Sequence, residues 1–257
     1  MPMPSAKFGD LNGVGVLITG GASGIGAALA RGFASQGSKI AVIDIDHDAA
    51  EATAAVIRAE SGAELVFEHA DVRNLAALHA AVDRAIARLG VSLRVVVNNV
   101  AWDDRHEYSE VTEDYWDNNL AVNLRPAFFV SQRTAPHLKA AGGGSIINFS
   151  SIAFMMNLPD MPAYLTAKAG IIGLTKGLAG RLGTDNIRVN AILPGMVLTE
   201  RQKQLWITDE AAAAHRERQA LKFSLEPEDI IGPCLFLASD CSAAITAQSI
   251  IVDGGYL

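Results

Sequence analysis

The sequence predicts an α/β fold, a doubly wound parallel seven-stranded sheet with helices on both faces, and three observations carry that prediction. Short β-rich runs alternate with longer Ala-rich helical runs along the chain, as in a series of βαβ units. Runs such as Val95-Val96-Val97 and Ile146-Ile147 are apolar without alternation, as strands covered on both faces are. With 257 residues, 50% hydrophobic and 19% charged, the chain can bury a large core and suits a single domain over 1–257.

Taken in order, a strand is expected near Val14 to Thr19, ending at a glycine cluster, then an Ala-rich helix near Gly24 to Gln36. A strand near Lys39 to Asp44 and a helix near Asp48 to Glu60 repeat the unit, followed by a strand near Glu64 to His69 and a helix near Asn74 to Leu89. The apolar strand near Arg94 to Asn98 precedes one long helix near Glu113 to Ala140. A strand near Ser145 to Ser150 leads to a helix near Pro162 to Leu182, whose proline suits a first helical turn. Strands near Arg188 to Leu193 and Ser249 to Val252 complete the sheet, with a helix near Pro227 to Ala238 between them. The segment from about 197 to 225 interrupts this rhythm with two aromatics and mixed charges. It reads either as a substrate-side lid or as a peripheral helical hairpin.

Composition narrows the function classes. With 21 basic against 28 acidic residues, the formal charge of −7 argues against an electrostatic grip on nucleic acid or an anionic membrane and favours a small-molecule partner. The longest uncharged run, Ala140 to Pro159, nearly matches a membrane span in length, but its glycines, serines, asparagines and proline make it a strand and a loop. Met1 to Lys7 lacks the apolar core of a secretory signal, so a cytoplasmic location is expected. Cys234 and Cys241, without a nearby His, fit neither a disulfide framework nor zinc spacing and are expected as buried free thiols, with no metal site.

The chemistry begins after the first strand, in Thr19-Gly20-Gly21-Ala22-Ser23-Gly24-Ile25-Gly26. Glycines there allow a tight turn and close approach of a pyrophosphate to a helix N-terminus; alone, such a cluster is weak evidence against a packing turn. The next strand ends in Asp44, 18 residues beyond Gly26, where a carboxylate can accept hydrogen bonds from both adenosine ribose hydroxyls. Dinucleotide binding follows. Asp44 would repel a 2′-phosphate, and Asp46, His47 and Asp48 bring no Lys or Arg to neutralise it, so NAD is expected over NADP. Asp71, before Val72, either accepts from the adenine amino group or caps the following helix. Tyr164 and Lys168, four apart, share one helical face just after the strand that ends in Ser150-Ser151, and ligands of open α/β sheets gather at such strand ends.

With those residues in place, the chain resembles the short-chain dehydrogenase/reductase family along nearly its whole length. Thr19 to Gly26 is similar to the family's cofactor loop, with Ser23 and Ile25 among the contacts it implies, and Asn98-Asn99-Val100-Ala101 to its Asn-Asn-Ala-Gly segment. Asn123 resembles the active-site Asn, and Ser151, Tyr164 and Lys168 fall at the catalytic spacing. Pro194, Gly195, Val197 and Thr199 resemble the nicotinamide-side loop, and Asp253-Gly254-Gly255 the C-terminal signature. Val100-Ala101 and Ala247, which stands where Gly often precedes Gln, depart from the pattern and bear on local backbone geometry.

The resemblance implies a Rossmann-like domain, NAD as cofactor and a homotetramer assembled through the Glu113 and Pro162 helices and the last strand. Tyr164 would act as base, Ser151 would hold the substrate oxygen, Lys168 would lower the phenol pKa and bond the nicotinamide ribose, and Asn123 would hold a water on the proton path. Asp103-Asp104-Arg105-His106, Ser150 to Ala153 and Thr199 to Gln202 with Leu205-Trp206 are similar to bacterial sugar dehydrogenases of the family, nearest to NAD-dependent D-galactose 1-dehydrogenases. The residues themselves place Trp102, Asp103, Asp104, Asn157, Gln202 and Trp206 at the substrate end, each either a sugar contact or an ordinary loop residue. The expected reaction is oxidation of an aldose at C1 to the lactone. A reductase of acyl, steroid or other carbonyl substrates on the same core, and a catalytically silent NAD-binding regulator, are the rival readings.

Overall fold

The computed structural model describes residues 6–257; Met1 to Ser5, part of the stretch read for a secretory leader, lie outside them. Seven strands, β1 (Gly15–Thr19), β2 (Lys39–Asp44), β3 (Leu65–His69), β4 (Leu93–Asn98), β5 (Gly144–Phe149), β6 (Ile187–Pro194) and β7 (Ser249–Val252), form one sheet in the order β3-β2-β1-β4-β5-β6-β7. Every pairing is parallel. The order reverses between β1 and β4, which opens a crevice at the carboxyl ends of the strands.

Helices α1 (Gly24–Ser35), α2 (His47–Ser61) and α3 (Leu75–Leu89) follow the first three strands. Asp46 and Asn74 cap α2 and α3 by accepting from Ala49 N and Ala77 N, satisfying donors that a helix start leaves free. Asn74, not Asp71, is thus the cap of α3. The long helix expected over 113–140 is two, α4 (Glu113–Asn123) and α5 (Arg125–Ala140), broken at Leu124 with φ −128° and ψ −54°. Pro126 has no N–H for the Val122 carbonyl, and its ring crowds that carbonyl, so the helix cannot run through. Helix α6 (Pro162–Leu182) begins at its proline as expected. The 197–225 segment folds as α7 (Glu200–Leu205) and α8 (Asp209–Arg218), each capped by a threonine. The run 227–238 starts as a 3-10 turn and continues as α9 (Ile231–Ala238).

Residues of opposite parity on the strands serve the two faces. Val16, Ile18, Val95 and Val97 pack with Leu29 and Phe33 of α1 and with Ile231, Leu235 and Leu237 of α9. Leu17, Val96 and Ile146 pack with Leu78 and Val82 of α3, Val130 and Leu138 of α5 and Leu182 of α6. A polar chain crosses this apolar interior: Asn98 Nδ2 donates to Asn148 Oδ1 at 2.8 Å and to Ser131 Oγ at 3.1 Å, and Asn148 Nδ2 donates to Thr175 Oγ1 at 3.0 Å. Neither cysteine is in a disulfide; Cys234, on α9, is buried as expected, but Cys241 is exposed, because it lies in the turn beyond that helix. No helix among the described residues is long and apolar enough to cross a membrane.

Candidate functional site

A cavity of about 890 Å³ lies along the carboxyl ends of the strands and takes in most of the residues singled out by sequence. One end is framed by the loop between β1 and α1. Gly20 sits at φ +66°, and a Cβ there would come within 2.9 Å of the Val100 backbone. A Cβ on Gly26 would overlap the Gly20 carbonyl oxygen, so the loop can close onto α1 only with glycine at that place. Asn99 Nδ2 braces the loop from β4, donating to the Gly20 and Thr19 carbonyls at 2.8 and 3.2 Å. Gly20, Ser23, Ile25 and Gly26 line the cavity, whereas Gly24, at φ +52°, shapes the turn behind it.

Asp44, at the end of β2, lines the cavity beside that loop. Its Oδ2 accepts from Ala22 N at 3.0 Å and its Oδ1 from Ile45 N at 2.7 Å, and it is in no ion pair among the described residues. Asp71 and Val72 also line it, but both Asp71 oxygens are held by Arg73, at 2.6 Å for the closest contact, and that hydrogen bond lowers the Asp71 pKa. Asp71 therefore meets any visitor as half of an ion pair, not as a free carboxylate. Asn98, expected among the cofactor contacts, is not at the wall: it is buried beneath, in the polar chain joining β4 to β5, while its neighbour Asn99 takes the surface position.

Between the two ends stand Ser151, Tyr164 and Lys168. Ser151 follows β5 and its Oγ accepts from Ala153 N at 3.1 Å. Tyr164 and Lys168 lie one turn apart on α6, with Lys168 Nζ 5.5 Å from the Tyr164 ring centroid and donating to the Phe149 carbonyl at 3.0 Å. Burial pushes the Lys168 pKa down to about 8, opposed by the Asp103 carboxylate. The Tyr164 phenol moves the opposite way from the expectation: burial first, then the Asp103 charge, hold it above the ordinary tyrosine value, with the Ser151 hydroxyl opposing them. Among the chain's own groups, removal from water and the Asp103 charge outweigh the Ser151 hydroxyl.

Asn123 ends α4 and is committed elsewhere than expected. Its Oδ1 accepts from Trp102 N at 2.8 Å and its Nδ2 donates to Trp102 O at 2.9 Å, so it pins the loop after β4 and does not reach the cavity wall. On the far side Pro194, Gly195, Val197 and Thr199 line the wall, and Thr199 also caps α7 by accepting from Gln202 N at 3.2 Å.

At the substrate end Trp102, Asp103 and Gln202 line the cavity as expected, yet Asp103 is not free: Arg201 reaches it at 2.6 Å and the Gln202 amide closes on its other oxygen. That clasp ties the loop after β4 to α7 across the opening. Asn157 is exposed and, like Asp104 and Trp206, is not part of the wall; Trp206 instead packs under Arg105, whose guanidinium is 5.1 Å from its ring centroid. The 197–225 segment is a helical pair, α7 and α8, and Gln202, His215 and Ile207 of the turn between the helices face the cavity. Sequence reasoning missed Arg105, Arg201, His215 and Tyr256 in the lining, together with apolar Met156, Leu158 and Met161. Arg201 could have been found, sitting beside Gln202 in the same motif. His215 and Tyr256 carry no local signal, because a fold of the tail brings them together.

Among known proteins, residues 20–257 match the family described as enoyl-(acyl carrier protein) reductase. The chain is 58% identical over 255 residues, 99% of each protein, to "Probable galactose dehydrogenase GalD" of Rhizobium meliloti. It is 42% identical to D-xylose 1-dehydrogenase of Caulobacter vibrioides, over 99% of this chain and 100% of that one. Among solved structures, a mutant of a Serratia marcescens short-chain dehydrogenase/reductase superposes with TM-score 0.88 at 33% identity, covering 96% of this chain and 99% of the other.

Proposed function

The chain belongs to the short-chain dehydrogenase/reductase family, and on that premise we propose that it oxidises an aldose at C1 to the lactone, D-galactose first among candidates, with NAD as the hydride acceptor. The observation that carries the reading is the meeting, in one cavity, of the glycine loop with Asp44 and the Ser151, Tyr164 and Lys168 group. The aldose is favoured by the likeness to galactose and xylose dehydrogenases.

The residues fit the cofactor. Glycine at positions 20 and 26 leaves backbone where a Cβ would collide, the N-terminus of α1 turns unpaired N–H groups toward an anion, and Asp44, held by backbone N–H groups and in no ion pair among the described residues, suits two ribose hydroxyls and disfavours a 2′-phosphate. When bound, NAD supplies the electron sink for the hydride that leaves C1. Ser151 holds the hydroxyl oxygen of C1 and Tyr164 accepts its proton. Because burial and Asp103 keep the phenol protonated in the chain alone, ionisation depends on positive charge at the site, from Lys168 and from the oxidised nicotinamide ring. Asn123 acts by holding Trp102 in place. Lys168 and Asp44 are reached from the cofactor side, and Trp102 and the Asp103 clasp from the sugar side. We further read the segment 197–225 as the movable part of the substrate end, a homotetramer as the assembly and the cytoplasm as the location.

The apolar wall of Met156, Leu158, Met161 and Ile207, together with the matched family's description, favours a second reading, an apolar carbonyl substrate. NADH formation across a panel of aldoses, secondary alcohols and a steroid decides between them. Robust turnover with D-galactose or a close relative is expected, and turnover only with apolar alcohols would overturn the aldose reading.

A further inference from the structure

Most polar groups at the substrate end are already bonded to one another. Asp103 is held by Arg201 and Gln202, Arg105 pairs with Asp160 at 3.2 Å, and the Asn123 amide is spent on Trp102. His215, on α8, is different. Its ring lines the cavity, its Nε2 is shut off from solvent without a partner, and Nδ1 also lacks one within the described chain. With Nε2 sealed, Nδ1 is the nitrogen left open to a visitor.

The ring is held so that it cannot turn away to find a partner. It stacks on Tyr256, centroids 4.0 Å apart and planes within 8°, and Arg218 lies 4.4 Å from the same tyrosine ring. Tyr256 in turn is fixed by the tail: buried Asp253 accepts from Gly255 N at 2.8 Å and Leu257 N at 3.0 Å, and the Gly254 and Gly255 carbonyls accept from Leu221 N and Ala220 N, both at 2.9 Å. Gly254 and Gly255, at φ +68° and +75°, permit that turn, which gives the C-terminal signature a purpose at the cavity wall. Burial and then Arg218 lower the His215 pKa against the pull of Asp253, so at neutral pH the ring is uncharged, with one nitrogen a donor and the other an acceptor.

We propose that His215, stacked on Tyr256, is a specificity-determining residue that hydrogen bonds a hydroxyl of the aldose other than the one at C1. This rests on the aldose reading above, in which Ser151 and Tyr164 take the C1 oxygen; the partner left for His215 is a hydroxyl elsewhere on the sugar. A site that bonds a hydroxyl rejects the analogue that lacks it, because its own polar group is then left unpaired.

The test compares the unaltered protein with His215→Phe, which keeps a flat ring for the stack and removes both nitrogens, and with His215→Gln, which keeps a side-chain donor and acceptor. Each is assayed with NAD on D-galactose and on its monodeoxy analogues. His215→Phe is expected to raise KM for D-galactose about tenfold with kcat and KM for NAD little changed. For one monodeoxy analogue the two proteins should perform alike, and His215→Gln should recover part of the loss. An equal loss on every analogue, no loss on any, or a matching rise in KM for NAD overturns the proposal. If His215→Phe fails to fold, His215→Gln on the same analogue set decides it, by whether its loss is confined to those carrying one particular hydroxyl. Aldose oxidation indifferent to His215 sinks this inference alone, whereas an unaltered protein that oxidises no aldose sinks the proposed substrate and this inference with it.

Discussion

The two ends of the cavity are built by different means. At the cofactor end, backbone does most of the shaping: Gly20 and Gly26 let the chain fold onto itself, Asn99 braces the loop through carbonyls, and Asp44 arrives at the end of a strand. At the substrate end, side chains from the loop after β4, from α7, from α8 and from the tail meet across long sequence distances and bond to one another, as in the clasp of Asp103 by Arg201 and Gln202 and the stack of His215 on Tyr256. The first arrangement tolerates little change at a few positions. The second can be altered piece by piece, which is how one scaffold comes to serve different alcohols.

Breaking the group that stands between the ends has the largest expected effect. Tyr164→Phe should cut turnover about 100-fold or more while cofactor affinity stays near that of the unaltered protein, read by steady-state rates and cofactor titration. Near-normal turnover would remove Tyr164 from the chemistry. Next, Asp44→Ser tests the cofactor end alone: preference for NAD over NADP should narrow by about 1.5 to 3 kcal/mol, seen in kcat/KM for the two cofactors, with KM for the aldose unmoved. Equal use of both cofactors before any substitution would contradict the assignment.

Opening the clasp tests the other end. Arg201 is about half exposed, so Arg201→Ala should raise KM for the aldose only about fivefold or less and leave KM for NAD unchanged. It should also displace the alkaline limb of the pH–rate profile upward, because the Asp103 charge that disfavours the Tyr164 phenolate loses its cation. The smallest effect is on stability. Lys168 is lowered on folding to about 8 from 10.5, so the folded state binds fewer protons than the unfolded chain between those values. The cost of burying the ammonium is thus full below about pH 8 and fades as pH rises toward 10.5. In melting experiments, any advantage of Lys168→Met over the unaltered protein should shrink across that window, and a constant difference would contradict the shift.

The contrast between the ends also sets what could be read from sequence. The seven strands were legible because each is a short apolar run, and the glycine loop because its spacing follows from the backbone it must form. Ser151, Tyr164 and Lys168 were legible through their spacing and their place after β5. The break at Leu124 was not, although Pro126 signals it, because the apolar pattern on both sides suggests one helix. Asn98 was read as a contact through the likeness of Asn98-Asn99-Val100-Ala101 to the family's segment, but side chains alternate along a strand and its own points inward to Asn148. Asn157 and Trp206 show the limit of reading a loop: a polar or aromatic residue near the right strand end has no periodicity to say which way it faces. The departure at Ala247 does have a backbone consequence, since it sits at φ +60°, a conformation that glycine adopts without strain and alanine does not.

The buried polar chain from the Asn98 and Asn148 amides to the Thr175 hydroxyl has a consequence for how the strands find their places. Strands with centres as uniformly apolar as Val95-Val96-Val97 and Ile146-Ile147 would lose little hydrophobic contact there by sliding one step past each other. The amides remove that indifference. In the native pairing Asn98 lies opposite Asn148, and a slip would part the two amides in the buried interior and cost the hydrogen bond between them. The polar chain thus acts as an index mark for the sheet, and the end of β5 that carries Ser151 is held at a fixed height beside the end of β4 that carries Asn99.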